Sequence, residues 1–118
     1  MTKKASHFVS EISSLMEATE RLRETLARYK RANATLARRV SQGDSVLEAF
    51  DAMDGSMDRQ RELTEMFEEF EAVRHRVRLA LFGLAEAQGV SMSELGRRLG
   101  ISRQLASKLA KEAAEAGP

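Results

Sequence analysis

The chain has 118 residues, no cysteine, two histidines and a single proline, a length that fits one domain or a small domain with a helical arm. The missing cysteine excludes disulfides, thiolate nucleophiles and the usual structural zinc sites. The net charge of +1 predicts no partner by itself, and with no run of about 18 apolar residues and no leader-like core in MTKKASHFVS, a cytoplasmic protein without membrane association is expected.

That near-neutral total hides a segregation. Residues 1–40 hold nine Lys/Arg against four Asp/Glu, whereas residues 41–72 hold two against ten. Residues 73–90 and 91–118 are each modestly basic. A basic first segment and an acidic second one are expected to lie beside each other.

From Phe8 to Val40 the apolar residues follow a seven-residue repeat. Phe8, Leu15, Leu22, Tyr29 and Leu36 form one column, and Ile12, Thr19, Leu26, Asn33 and Val40 the other. Spacings that alternate four and three are the pattern of a coiled-coil seam. A helix from about Ser6 to Ser41, closed by Gly43, would be about 54 Å long at 1.5 Å per residue, so it must pack along another long helix. Ala18, Thr25 and Ala32 flank the seam, and such small residues widen the contact stripe in favour of a bundle. Asn33 either fixes register or oligomer state as a buried polar residue, or is partly exposed and tolerated.

Next, SQGDSVLEAFDAMDGS predicts a short helix over about 45–53, capped by Asp44 or Ser45 and ended by Gly55. Val46, Leu47, Phe50 and Met53 give it an apolar face expected to fold over the end of the long helices. A second long helix follows over about Met57–Gln88, with Gly89 closing it. Its seam is Leu63, Met66, Phe70, Val73, Val77, Ala80 and Leu84, widened by Phe67 and Leu81. Charge layout predicts an antiparallel hairpin of the two long helices, in a register that pairs Leu36 with Leu63, Leu22 with Val77, and Arg39 with Glu62.

After Gly89, Ser91 and Glu94 match a capping box. The helix they open runs to Leu99, Gly100 supplies a sharp turn, Ile101 plugs the corner, and Ser102 caps a last helix that continues to Ala116 before Gly117. Leu95, Leu99, Ile101, Leu105, Ala106 and Leu109 are expected inside, with Val77, Leu81 and Leu84 from the preceding helix. The stretch ELGRRLGISRQLASKLAKEA resembles the helix-turn-helix of bacterial transcription regulators and of the C-terminal region of sigma factors, over about residues 75–113. Two positions depart from that pattern: Gly96 stands where alanine is usual, and Ala106 where valine or isoleucine is usual.

The resemblance implies that the helix starting at Ser102 enters the major groove of double-stranded DNA with its first residues at base edges. Arg103, Gln104 and Ser107 would then contact bases, arginine suiting guanine and glutamine adenine. Ser91, Arg97, Arg98, Ser102, Lys108 and Lys111 would contact phosphates. Between Ser102 and Lys111 this helix carries no acid.

No constellation supports catalysis or a metal. Glu62, Glu65, Glu68, Glu69 and Glu71 lack the Glu-x-x-His copies of helical di-iron sites, Glu71 and His75 being four apart. His7 has no nucleophilic companion, no glycine-rich phosphate loop occurs, and Met16, Met53, Met57 and Met66 read as bundle filling.

The expectation is therefore an all-α protein: a long antiparallel, coiled-coil-like helical hairpin with a short cap helix over residues 1–74, and a C-terminal trihelical helix-turn-helix over residues 75–118. It would be a non-enzymatic, cofactor-free, sequence-specific DNA binder, cytoplasmic and nucleoid-associated. A homodimer would use Leu15, Leu22, Leu26, Tyr29, Asn33, Leu36, Phe67 and Phe70 as dimer or bundle seam. Two alternatives remain open: a coiled-coil adaptor binding a protein partner of the transcription or partition machinery, and an architectural DNA binder without sequence preference.

Overall fold

The structure is a computed structural model that describes residues 1–53 and 56–116. Among the described residues five helices follow one another: α1 (Lys3–Ser41), α2 (Val46–Asp51), α3 (Ser56–Ala87), α4 (Met92–Leu99) and α5 (Arg103–Ala116). No strand occurs among the described residues. The all-α expectation, a helical hairpin followed by the C-terminal helices, is what the chain forms. Gly43 and Gly89 end α1 and α3 with positive φ. The amide three residues past each helix reaches back five residues, Asp44 to the Arg39 carbonyl and Val90 to the Ala85 carbonyl, which satisfies carbonyls the helix leaves orphaned. The expected stops at Gly55 and Gly117, and the packing of Met57, lie outside the described residues.

Contacts divide the chain into two units: residues 17–70, and residues 1–16 together with residue 71 onwards. In the first of these, α1 and α3 run antiparallel, since Arg21 pairs with Glu69 and Arg28 with Glu62. The register differs from the expected one. Arg39 does not meet Glu62; it lies 2.9 Å from Asp44, and Glu62 takes Arg28 instead, eleven residues or about three helical turns earlier. The two helices are joined there by residues that include α2, whose Ala49 is completely buried.

Small residues set the closest approach. Ala18 and Thr25, seven apart at the flank of the seam, are the buried positions of α1, while Leu15, Leu22, Tyr29 and Leu36 are half-buried. Leu26 is 40% exposed and Phe67 46%. Asn33 is exposed and donates to the carbonyl of Tyr29 in its own helix at 2.9 Å.

The short helix also turns out differently. Ser45 caps it with a complete capping box, accepting from the Glu48 amide at 3.1 Å while the Glu48 carboxylate accepts from the Ser45 amide. Yet Val46, Leu47 and Phe50 are exposed, Leu47 by 74%. Close approach through the methyl group of Ala49 leaves the larger side chains flanking it pointing outward, so they do not fold over the hairpin end.

The other unit holds α4, α5, the second half of α3 and the start of α1. Arg76 of α3 pairs with Glu11 of α1 at 2.9 Å. Its core is Phe82, Ala106, Leu109 and Ala113, with Leu79, Met92, Leu95, Ile101, Leu105 and Ala110 packed against them. Two details depart from expectation. Phe82, outside the anticipated seam, is the largest fully buried side chain. Leu99 is 42% exposed, because it is the last residue of α4 and Ile101, beyond the turn, takes the inward place.

Candidate nucleic-acid interface

The turn between α4 and α5 is set by Gly100, which sits in the left-handed region at φ 70° and ψ 29°, where a Cβ is strained. From there the Ile101 amide donates to the Gly96 carbonyl at 3.0 Å, and the Gly100 amide to Arg97 at 3.2 Å. This closes α4 and redirects the chain within three residues. Ser102 then caps α5, its hydroxyl accepting from the Leu105 amide at 3.1 Å. The hydroxyl proton remains able to donate to an incoming phosphate.

The two departures from the familiar pattern explain each other. Gly96 is buried, and a Cβ placed there would lie 3.0 Å from the Cβ of Ala106. The small pair lets α4 and α5 approach closely, which a larger residue at either position would prevent.

With α5 anchored by Ala106, Leu109 and Ala113, its remaining surface is free. Arg103, Gln104, Ser107, Lys108 and Lys111 are all exposed, and their spacing puts them along one side of the helix. Glu112, the first acid of α5, turns away to bond His75 of α3 at 2.9 Å, a pairing that sequence spacing alone did not reveal. The exposed side of α5 between Ser102 and Lys111 thus carries cations and hydrogen-bonding groups only.

At α4 the picture is more mixed. Ser91 is the N-cap and accepts from the Glu94 amide at 3.2 Å, but the reciprocal half of the capping box is not made. The Glu94 carboxylate instead bonds Arg97 and Arg98, three and four residues further along α4, and competition from two cations explains why it leaves the cap. Both arginines are about three-quarters exposed, so a phosphate approaching them would compete with Glu94. The other residues read from the sequence as seam, Leu15 to Phe70, lie on α1 and α3, away from this surface in sequence.

None of the described helices is long and apolar enough to cross a membrane, and no group of three or more His, Cys, Asp or Glu residues among the described ones could hold a metal ion. No curated protein and no solved structure matches the chain. Residues 76–117 match the model of the MarR family, so the helix-turn-helix of α3, α4 and α5 is a transcription-regulator domain at the C-terminal end of the chain.

Proposed function

We propose that the chain is a sequence-specific DNA-binding transcription regulator that inserts α5 into the major groove and works as a homodimer. The observation that carries this reading is the exposed, acid-free side of α5, with Arg103 and Gln104 in its first turn and Ser102 capping it. Arg103 suits the O6/N7 edge of guanine, Gln104 the N6/N7 edge of adenine, and Ser107 a base or phosphate one turn along. Lys108, Lys111, Arg97, Arg98 and Ser91 supply phosphate contacts and a steep dependence on salt. The dipole at the start of α5 adds to the attraction.

A single helix of this kind reads too few bases for tight binding. Two copies would set their recognition helices about 34–36 Å apart, one turn of DNA. Support for a second copy comes from Leu26 and Phe67, large apolar side chains of the hairpin that one chain leaves 40% and 46% exposed. The protein would be cytoplasmic and nucleoid-associated, with no chemistry of its own.

An adaptor role is the second reading. It is favoured by the exposed Val46, Leu47 and Phe50 of α2, a patch suited to a protein partner. Selection of duplexes from a random pool, followed by titration of the best one at two salt concentrations, separates the two. A regulator yields a motif, a pseudo-palindrome if dimeric, and the Arg103→Ala/Gln104→Ala variant folds normally yet loses affinity by about 1–3 kcal/mol per base contact removed. No enrichment, with no DNA affinity for the variant to lose, would leave the adaptor reading standing.

A further inference from the structure

In the unit formed by residues 17–70, rungs between α1 and α3 recur every seven residues. Arg21 meets Glu69, then Arg28 meets Glu62, each a cation of α1 on a carboxylate of α3. Beyond the second rung this alternation fails. Arg28, Arg31, Ala32 and Thr35 of α1 and Arg59 of α3 line a cleft of about 250 Å³, and no lining residue is acidic. Ala32 continues the column of Ala18 and Thr25, and its short side chain leaves a hollow lined by three arginines.

Arg28 is oriented by Glu62 and by donation to the Thr25 hydroxyl at 3.2 Å. Arg31 and Arg59 have no ion-pair or hydrogen-bond partner among the described residues. Asp58, next to Arg59 in sequence, is exposed and does not line the cleft. From Thr25 to Gly43, α1 and its turn contain five cations and no acid. Two arginines from facing helices, neither of them ion-paired among the described residues, therefore line one open cleft. The first turns of α3, to which Arg59 belongs, add the positive end of a helix dipole.

We propose that this cleft binds a phosphoryl group. Arg31 and Arg59 supply forked N–H pairs that match the oxygens of a tetrahedral oxyanion. Arg28, its charge partly offset by Glu62, adds further N–H donors, and the Thr35 hydroxyl donates to a remaining oxygen. A phosphorylated small molecule and the phosphodiester backbone of a nucleic acid both present this chemistry. The site is separate from α5 and does not depend on what the helix-turn-helix reads.

The test uses the full chain and inorganic phosphate, titrated calorimetrically in chloride at constant ionic strength. Wild type is compared with Arg31→Gln/Arg59→Gln and with Arg31→Lys/Arg59→Lys, each checked for helicity by circular dichroism. Saturable binding by wild type is expected, at least tenfold weaker in the glutamine variant. The lysine variant keeps the charge but loses the forks, so it should be several-fold weaker; it also stands in should the glutamine variant not fold. A labelled single-stranded oligodeoxynucleotide of mixed sequence then identifies the source. Strand binding that phosphate competes away, and that the glutamine variant loses, assigns a phosphodiester. Strand binding unchanged by the variant, alongside lost phosphate binding, assigns a small phosphorylated molecule. No saturable phosphate binding by wild type, or equal binding by all three proteins, overturns the proposal.

Discussion

Replacing Gly96 by alanine tests whether the α4–α5 contact is as tight as the geometry says. The new Cβ would sit 3.0 Å from the Cβ of Ala106, whereas carbon atoms rest about 3.5–4.0 Å apart. Ala106 has no rotamer to relieve the overlap, so the two helices must part by a few tenths of an ångström. Overpacking of this kind costs about 1–3 kcal/mol, against which alanine gains about 1 kcal/mol over glycine in a helix interior. A net loss of about 1 kcal/mol is therefore expected for Gly96→Ala in urea unfolding followed by circular dichroism. The exchange variant Gly96→Ala/Ala106→Gly restores the space and swaps the helix propensities, so it should be more stable than the additive sum by about 1–3 kcal/mol in a double-mutant cycle. If Gly96→Ala is stabilising by the full propensity gain, or the two substitutions simply add, the close approach is not what holds α4 and α5 at their spacing.

The core of the helix-turn-helix unit should depend on Phe82. Its truncation to alanine is expected to cost about 3–5 kcal/mol, read from the same unfolding curves, and a loss under 1 kcal/mol would show that the site collapses around the deletion. The hairpin register can be tested by two double-mutant cycles to alanine: Arg28 and Glu62 should couple by up to about 1 kcal/mol, as partly exposed pairs do, whereas Arg39 and Glu62 should not couple. Coupling of the second pair alone would restore the register read from the sequence. The hydrogen bond from Arg23 holds the Glu20 carboxyl below the ordinary carboxylate range. Its folded value being depressed, the small stabilisation is present at neutral pH and fades as pH falls through that lowered value. Arg23→Gln should move the Glu20 midpoint upward in an NMR titration, and an unmoved midpoint would remove Arg23 as its cause.

What was legible in the sequence follows from how local each signal is. Helix ends are set by a few adjacent residues, so Ser45, Ser102, Gly43, Gly89 and Gly100 were readable and stand where expected. The seven-residue pattern is also local and gave two long antiparallel helices. Their register is not local: any alignment that keeps cations opposite acids satisfies the charge layout, so the sequence pattern alone does not choose among them, and the pairs Arg21–Glu69 and Arg28–Glu62 are the choice the fold makes. Phe82 was missed for a related reason. The second half of α3 has two apolar sides, and a stripe drawn through Val73, Val77 and Ala80 for α1 passes over Leu79 and Phe82, which α4 and α5 need. The α2 side chains were misplaced because apolar character marks what could be buried, while the methyl group of Ala49 marks what approaches closely enough to be.

Glu94 shows how one side chain can weaken one inference and sharpen another. As half of a capping box it would have left Arg97 and Arg98 free to hold phosphates. Bonded to both, it cancels part of their charge and makes any phosphate contact there an exchange of one oxyanion for another, worth less than a contact to an unpaired cation. The burden of binding then shifts to α5, whose Arg103, Lys108 and Lys111 have no carboxylate on them among the described residues. Removing Glu94's carboxylate without its capping geometry, as in Glu94→Gln, would release both arginines. In the DNA-binding reading it should therefore raise affinity and steepen the dependence on salt, since each additional phosphate neutralised adds about 0.9 to the slope of log K against log salt. Unchanged affinity and slope in that variant would mean that Arg97 and Arg98 lie off the DNA, leaving α5 as the sole contact surface of the helix-turn-helix.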